Sequence, residues 1–402
     1  MLQRGDRQVD NQTVTAGVYT FAHSYEKIEH REDGTPYTAS YQDLNLMVVL
    51  PNGEVSHQTV KELKLRRIDT LVRGLRPEIT DPARTRFTRY EEGTKELHRL
   101  FIDPILADLK SAGINNLVFS TDSNLQDISP AILQDEAGEF LIEKFSISSS
   151  PSMQMIKVDD YVSLKGAEML KMGATQFTGA TALPGVLGEL GMVAELQQEL
   201  NPQQNQLVYL NEQFTLENLQ QKIQQLSPPI VHLGTHGEST LSTDSYLLLG
   251  TSEQGKNLRL TAEDVRNMEE LAGVELLNLG ACKGGLGHEN APLGMAGAGL
   301  VAGANSVLGS LWYVSDPGTM AFMTALYQNL LQEGVPKVKA LQQAQIAMLE
   351  EAVSFTQEGD QLSLFRNNRD IPTQVAHTLN IGDTHMSHPY FWSAFTLSGN
   401  PW

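Results

Sequence analysis

The chain holds one cysteine among its 402 residues, which excludes an internal disulfide framework and any metal site built from several thiolates. Positive charge is also scarce: 29 Lys and Arg stand against 48 Asp and Glu, a formal net charge of −19. Phosphate binding needs a basic footprint, so no nucleic-acid partner is expected. The same balance disfavours anionic membrane surfaces and mildly favours cationic substrates through long-range attraction. No apolar run approaches the ~18 residues of a membrane-spanning helix. The opening M-L-Q-R-G-D-R-Q-V-D lacks the hydrophobic segment of a signal peptide. A soluble, cytoplasmic protein with no membrane partner is the expectation. The length suffices for one large domain or two ordinary ones.

The apolar runs that are present carry the organisation. Leu44 to Leu50 and Glu54 to Val60 read as a hairpin around Pro51-Asn52-Gly53, with a basic amphipathic helix over Lys61 to Leu75. Residues 1–40 read as a polar arm or a first strand, and residues 77–92 as a surface connection. Glu96 to Ser111 reads as a helix broken at Pro104, followed by strands over Ile114 to Ser120 and Phe140 to Ser148. From Ala182 a glycine-containing helix presents Leu187, Leu190, Val193 and Leu196 on one face. Ile230 to Thr235 and Val274 to Leu279 are short apolar runs of the kind found in buried parallel strands. Between them lie a small hairpin and a helix capped by Thr261 with Asp264. Beyond them come an Ala/Gly-rich helix from Leu293, a strand over Ser306 to Trp312, two long helices, a polar stretch over 354–389 and a final strand from Phe391.

The two core strands end at reactive groups. Ile230 to Thr235 runs into His236-Gly237, and Val274 to Leu279 runs into Gly280 and Cys282. Ligands bind at the carboxyl ends of strands in an open α/β sheet, and a thiol beside an imidazole is what a cysteine nucleophile with a histidine base requires. A lone cysteine is otherwise a small buried hydrophobe, and His236 otherwise a turn residue. The glycines around Cys282 supply consecutive N–H groups able to lower a thiol pKa and to hold an oxyanion. His232, four residues before His236, lies ~13 Å from it along an extended strand, so the pair is not a metal site and His232 reads as a core residue beneath the site. His288 is the rival base. Asp122 and Asp316 follow apolar strands and are candidates for an acidic rim, or equally for caps of the next turn or helix.

Four blocks then stand in order: H-L-G-T-H-G, L-N-L-G-A-C-K-G-G, G-L-V-A-G-A-N-S-V-L-G-S-L-W-Y-V-S-D and H-P-Y-F-W-S-A-F-T-L-S-G. Together they resemble the CHAT domain, a caspase-like family related to separase, over roughly residues 95 to 402. The resemblance implies a caspase-like α/β/α sandwich with a mostly parallel central sheet, here preceded by an N-terminal β-hairpin region. It divides the chain into 1–92 and 93–402. It implies a cysteine endopeptidase with His236 and Cys282 as catalytic dyad, the N–H groups of Gly237 and Cys282 as oxyanion donors, and cleavage after Arg or Lys. Asp122 and Asp316 match the aspartates that would form an acidic primary pocket. The implied partner is a protein or peptide substrate, with a separate regulatory protein as a further candidate. No metal or cofactor is implied, and an activating calcium stays unassigned. Where the family usually has an acidic residue and then threonine after the cysteine, this chain has Lys283-Gly284. A silent caspase-like scaffold that binds a protein is the alternative.

Overall fold

The computed structural model describes residues 13–121, 123–156, 161–203, 207–239, 245–252, 254–280, 294–353, 355–358, 361–364, 369–370 and 386–402. Packing divides the chain into two compact units, the first ending at Ile147 and the second running Ser148–Trp402.

The first unit opens with three antiparallel strands, β1 (Thr15–His30), β2 (Pro36–Val49) and β3 (Val55–Lys64). Alternation on β2 buries Leu44, Leu46 and Val48 on one face. Helix α1 (Arg67–Thr80) lays down Ile68, Val72, Leu75 and Ile79 as its buried stripe. Each such burial contributes ~1.5–3 kcal/mol, which together outweighs the ~3 kcal/mol cost of an interior proline, and the helix runs on through Pro77. Helices α2 (Tyr90–Phe101) and α3 (Leu106–Ser111) flank a 3₁₀ turn at Pro104 and lead into β4 (Asn116–Thr121), which pairs in parallel with β1. A short helix, α4 (Leu141–Lys144), and β5 (Ser146–Ser149) follow.

The second unit is an α/β/α sandwich. Its elements begin with β6 (Met169–Gly173), α5 (Pro184–Leu200), β7 (Leu207–Leu210), α6 (Leu216–Leu226) and β8 (Ile230–Gly234). A side hairpin system follows, β9 (Gly237–Ser239), β10 (Ser245–Thr251) and β11 (Asn257–Thr261), then α7 (Ala262–Arg266). After β12 (Leu276–Leu279) come α8 (Gly294–Ala302), β13 (Ser306–Ser310), α9 (Asp316–Leu330) and α10 (Lys337–Leu349). Three short strands, β14 (Phe355–Glu358), β15 (Gln361–Leu364) and β16 (Arg369–Asp370), form a small sheet before α11 (Pro389–Trp392) and β17 (Phe395–Gly399). The strand order is β17-β13-β12-β8-β6-β7, parallel except where β17 runs antiparallel to β13.

Side chains alternate across this sheet. Leu170, Met172, Val231, Leu233, Leu277, Leu279 and Val307 meet α6, α7 and α8 on one face. Lys171, His232 and Asn278 point the other way, towards α5 and α9. Three adjacent strands thus put a polar residue on a helix-covered face, and the chemistry of that face follows from them.

Several expectations are corrected. Of the two readings of residues 1–40, the first strand holds over Thr15–His30 and the polar arm does not. Phe140 to Lys144 is not strand: the Phe140 N–H donates to Glu143 Oε2 at 2.6 Å and starts a helical turn. The polar stretch 354–389 contains β14, β15 and β16. The final strand starts only at Phe395, because His388 Nδ1 accepts the Tyr390 N–H at 3.1 Å and caps α11. On α5, Leu187 is exposed and Glu189 buried, the reverse of what the apolar spacing suggests.

Candidate active site

In a parallel sheet the carboxyl ends of the strands share one edge. There β6 ends at Gly173, β8 at Gly234, β12 at Leu279 and β13 at Ser310. His236 follows β8 by two residues. Its backbone is held by β10: Leu248 N–H donates to the His236 carbonyl at 2.9 Å, and Thr235 Oγ1 donates to the Leu248 carbonyl. Gly237 opens β9 opposite Leu247.

The imidazole of His236 is half-buried and, among the described residues, has a carbonyl and an aromatic ring against it. Its Nε2 lies 2.7 Å from the Thr181 carbonyl oxygen, and its ring packs on Phe177 with centroids 4.7 Å apart. A carbonyl only accepts, so in neutral His236 the proton sits on Nε2 and the lone pair on Nδ1. That is the tautomer a general base needs when Nδ1 faces the proton to be taken. Among the described residues no carboxylate takes part, and a backbone carbonyl does the orienting.

Beneath this rim lies a buried polar chain. Asn278 Nδ2 donates to Tyr327 Oη at 2.8 Å, so the hydroxyl proton is left for His232 Nδ1, also 2.8 Å away. His232 Nε2 stands 2.8 Å from Glu189 Oε1, off hydrogen-bond alignment. All four side chains are fully enclosed. Burial drives the Tyr327 hydroxyl far above its ordinary pKa, and it remains a neutral donor. A side chain at Gly280 would place its Cβ 3.1 Å from His232 Nε2 and 3.5 Å from Glu189 Oε1. A side chain there would press on this contact, and glycine relieves it where β12 leaves the sheet. Next to it, Lys171 is buried with Nζ 2.5 Å from Gln197 Oε1, and burial pulls its pKa down to about 8.

Asp316 opens α9. Its Oδ2 accepts the Gly185 N–H at 2.6 Å, which ties the start of α9 to the start of α5. A Cβ on Gly185 would lie 2.6 Å from the Asp316 carboxyl carbon, so the contact requires glycine. Burial raises the Asp316 pKa to about 6, opposed by the Gly185 N–H and reinforced by Glu189. The edge therefore gathers His236, Gly237 and Asp316, with His232 as the core residue expected below. Asp122 and Cys282, like Asp244, His288 and His385, lie outside the described residues. Thr181, Phe177 and Glu189 join the site without a motif to announce them. Glu189 alone carries a sequence signal, a charge among the apolar positions of α5.

An imidazole thus follows core strand β8, and in the sequence the sole cysteine follows core strand β12. The chain belongs to the CHAT domain family, whose model matches residues 91–400. It is similar to the Saccharomyces cerevisiae separase–securin complex solved at 3.0 Å, with 12% identity and a TM-score of 0.51, over 98% of this chain and 30% of that one. For the same complex at 2.6 Å the identity is 11% and the TM-score 0.47, with the same shares of the two chains, 98% and 30%. The Arg-specific cysteine proteinase gingipain R of Porphyromonas gingivalis matches at 10% identity and a TM-score of 0.40, over 83% of this chain and 74% of that one. The chain spans about 30% of the length of the separase chains. No curated protein matches it. Among the described residues no helix is long and apolar enough to cross a membrane.

Proposed function

We propose that the chain carries a cysteine endopeptidase module working through His236 and Cys282. One observation carries the reading: the Thr181 carbonyl holds the His236 Nε2–H, which leaves Nδ1 as the basic nitrogen. In this mechanism Nδ1 takes the Cys282 proton and the sulfur attacks the scissile carbonyl. The N–H groups of Gly237 and Cys282 receive the oxyanion. His236 then protonates the leaving amine as the C–N bond breaks, and water hydrolyses the thioester. Cleavage after Arg or Lys is the specificity proposed, with Asp316 as an acidic group of the pocket. Asp316 enters that role with one carboxylate oxygen already engaged by Gly185. The peptidase module is proposed to span 93–402, with 1–92 as a separate N-terminal region.

A second reading is a protein-binding module that cuts nothing. Family and fold support it more directly than they support catalysis, since neither requires a working thiol. The commitment of Asp316 to α5 favours it too, as does the likeness to separase in a complex with securin. The two part on one experiment. Wild type and Cys282→Ala are incubated with arginyl, lysyl and aspartyl fluorogenic peptides, with and without calcium, and followed by intact mass. Cleavage after Arg or Lys that vanishes in the variant supports the peptidase. Silence of both proteins in every arm, beside retained capture of a protein partner, supports the binding module.

A further inference from the structure

His236 rests on a shelf, residues 174–183, and the shelf is exposed from Thr178 to Ala182. Packing alone does not hold such a segment, so its hydrogen bonds are informative. Its base is closed by Ala174 N–H to the Gly234 carbonyl at 3.0 Å and Leu183 N–H to the Thr175 carbonyl at 2.9 Å. The N–H and hydroxyl of Thr175 both donate to Asn211 Oδ1, at 2.9 and 3.1 Å. The middle is held from the side hairpin. Thr178 N–H donates to Asn257 Oδ1 at 2.8 Å, Asn257 Nδ2 donates to the Thr178 carbonyl at 2.9 Å, and Thr178 Oγ1 donates to the Gly255 carbonyl at 2.7 Å.

The Asn257 amide thus grips the peptide groups of Thr178 in both directions, as a neighbouring strand would. Thr178 adjoins Phe177, whose ring packs on His236, and lies three residues before Thr181, whose carbonyl takes its Nε2–H. We propose that Asn257 is a positioning residue: by clamping the shelf it sets the tautomer and orientation of His236. Asparagine suits this duty because one planar amide offers an acceptor and a donor side by side. Aspartate would present oxygen to the Thr178 carbonyl, and alanine neither group. The consequence for rate rests on the peptidase reading; the consequence for the imidazole does not.

The test is Asn257→Ala in the full chain, read by ¹⁵N NMR of the His236 ring, by kcat and KM on the best arginyl or lysyl peptide, and by thermal melting. With two neutral hydrogen bonds gone, we expect a drop in kcat of about tenfold or more with KM and melting temperature little changed. The ring signals should move from a pure Nε2–H tautomer towards a mixture. Thr178→Ala, which removes only the bond to Gly255, should move both in the same direction by less. An unchanged His236 tautomer in Asn257→Ala overturns the inference whatever the rate does. So does a loss of kcat matched by a loss of global stability, which marks a merely structural residue. A shifted tautomer in a protein with no peptidase activity upholds the clamp and removes the peptidase reading instead.

Discussion

Two histidines four residues apart on one strand end have opposite surroundings. His232 lies in the floor between sheet and helices, with Glu189 on one nitrogen and Tyr327 on the other. His236 lies on the rim, with one nitrogen on a backbone carbonyl and an aromatic ring against its face. The floor histidine is enclosed by buried side chains and hydrogen-bonded to Tyr327 through Nδ1, so its loss is expected to be felt as stability. The rim histidine has only the Thr181 carbonyl and the Phe177 ring against it among the described residues, and on the peptidase reading its loss is felt as function. What separates them is where the strand leaves the sheet.

The widest break of this comparison is expected from His236→Ala. On the peptidase reading it lowers Cys282-dependent cleavage by ~10³-fold or more, with little change in the denaturant midpoint; comparable loss of both would erase the distinction. His232→Ala should do the converse. It leaves the buried Tyr327 hydroxyl without its His232 acceptor, and an unsatisfied buried polar group costs about 1–3 kcal/mol, to be read from urea unfolding at neutral pH.

Asp316→Asn sharpens the comparison, because Asp316 sits between floor and rim. Its pKa is raised from 3.8 to about 6, so the folded protein binds the proton more tightly than the unfolded chain does. Stability from this group is greatest below about pH 4, falls as pH rises towards 6, and stays reduced above. Asparagine preserves an acceptor for Gly185 and removes the penalty. The variant should be more stable than wild type by about 1–3 kcal/mol at pH 7.5 and indistinguishable from it near pH 4. Unchanged cleavage after Arg or Lys in this variant would show Asp316 to be an anchor of α5 and not a specificity group.

The smallest effect is assigned to Phe177→Ala, which removes the ring against His236 but not the Thr181 carbonyl. A fewfold fall in kcat with unaltered specificity is expected, since a ring contact of this kind contributes ~0.5–1.5 kcal/mol. A loss as deep as that of His236→Ala would mean that the ring, and not the carbonyl, holds the imidazole.

Legibility in the chain followed burial. The parallel core strands β8 and β12 are apolar runs, and both lie where the runs put them. The Thr261–Asp264 capping box is present with both of its bonds, because capping is local chemistry. The outer half of β1 was illegible: from Phe21 to His30 it is mostly exposed and mixes aromatic, charged and small residues without a period. Phe140 to Lys144 misled because a short apolar run fits a strand or one helical turn equally, and only the Glu143 bond decides. At the site, His236 stood out by its place after an apolar strand. Thr181 could not, because it acts through a carbonyl that every residue possesses, and Asn257 meets the shelf from 79 residues away.

The sequence by itself determined the order of the core strands' chemistry, the family, and the imidazole that follows β8. Those follow from residue types read along the chain, where hydrophobic period and short motifs carry the information. Only the tertiary structure decided what surrounds each histidine, which nitrogen of neutral His236 holds the proton, and that Asp316 grips the start of α5. Each of these depends on backbone atoms and distant side chains brought within hydrogen-bond reach, and such contacts leave no mark on the local sequence.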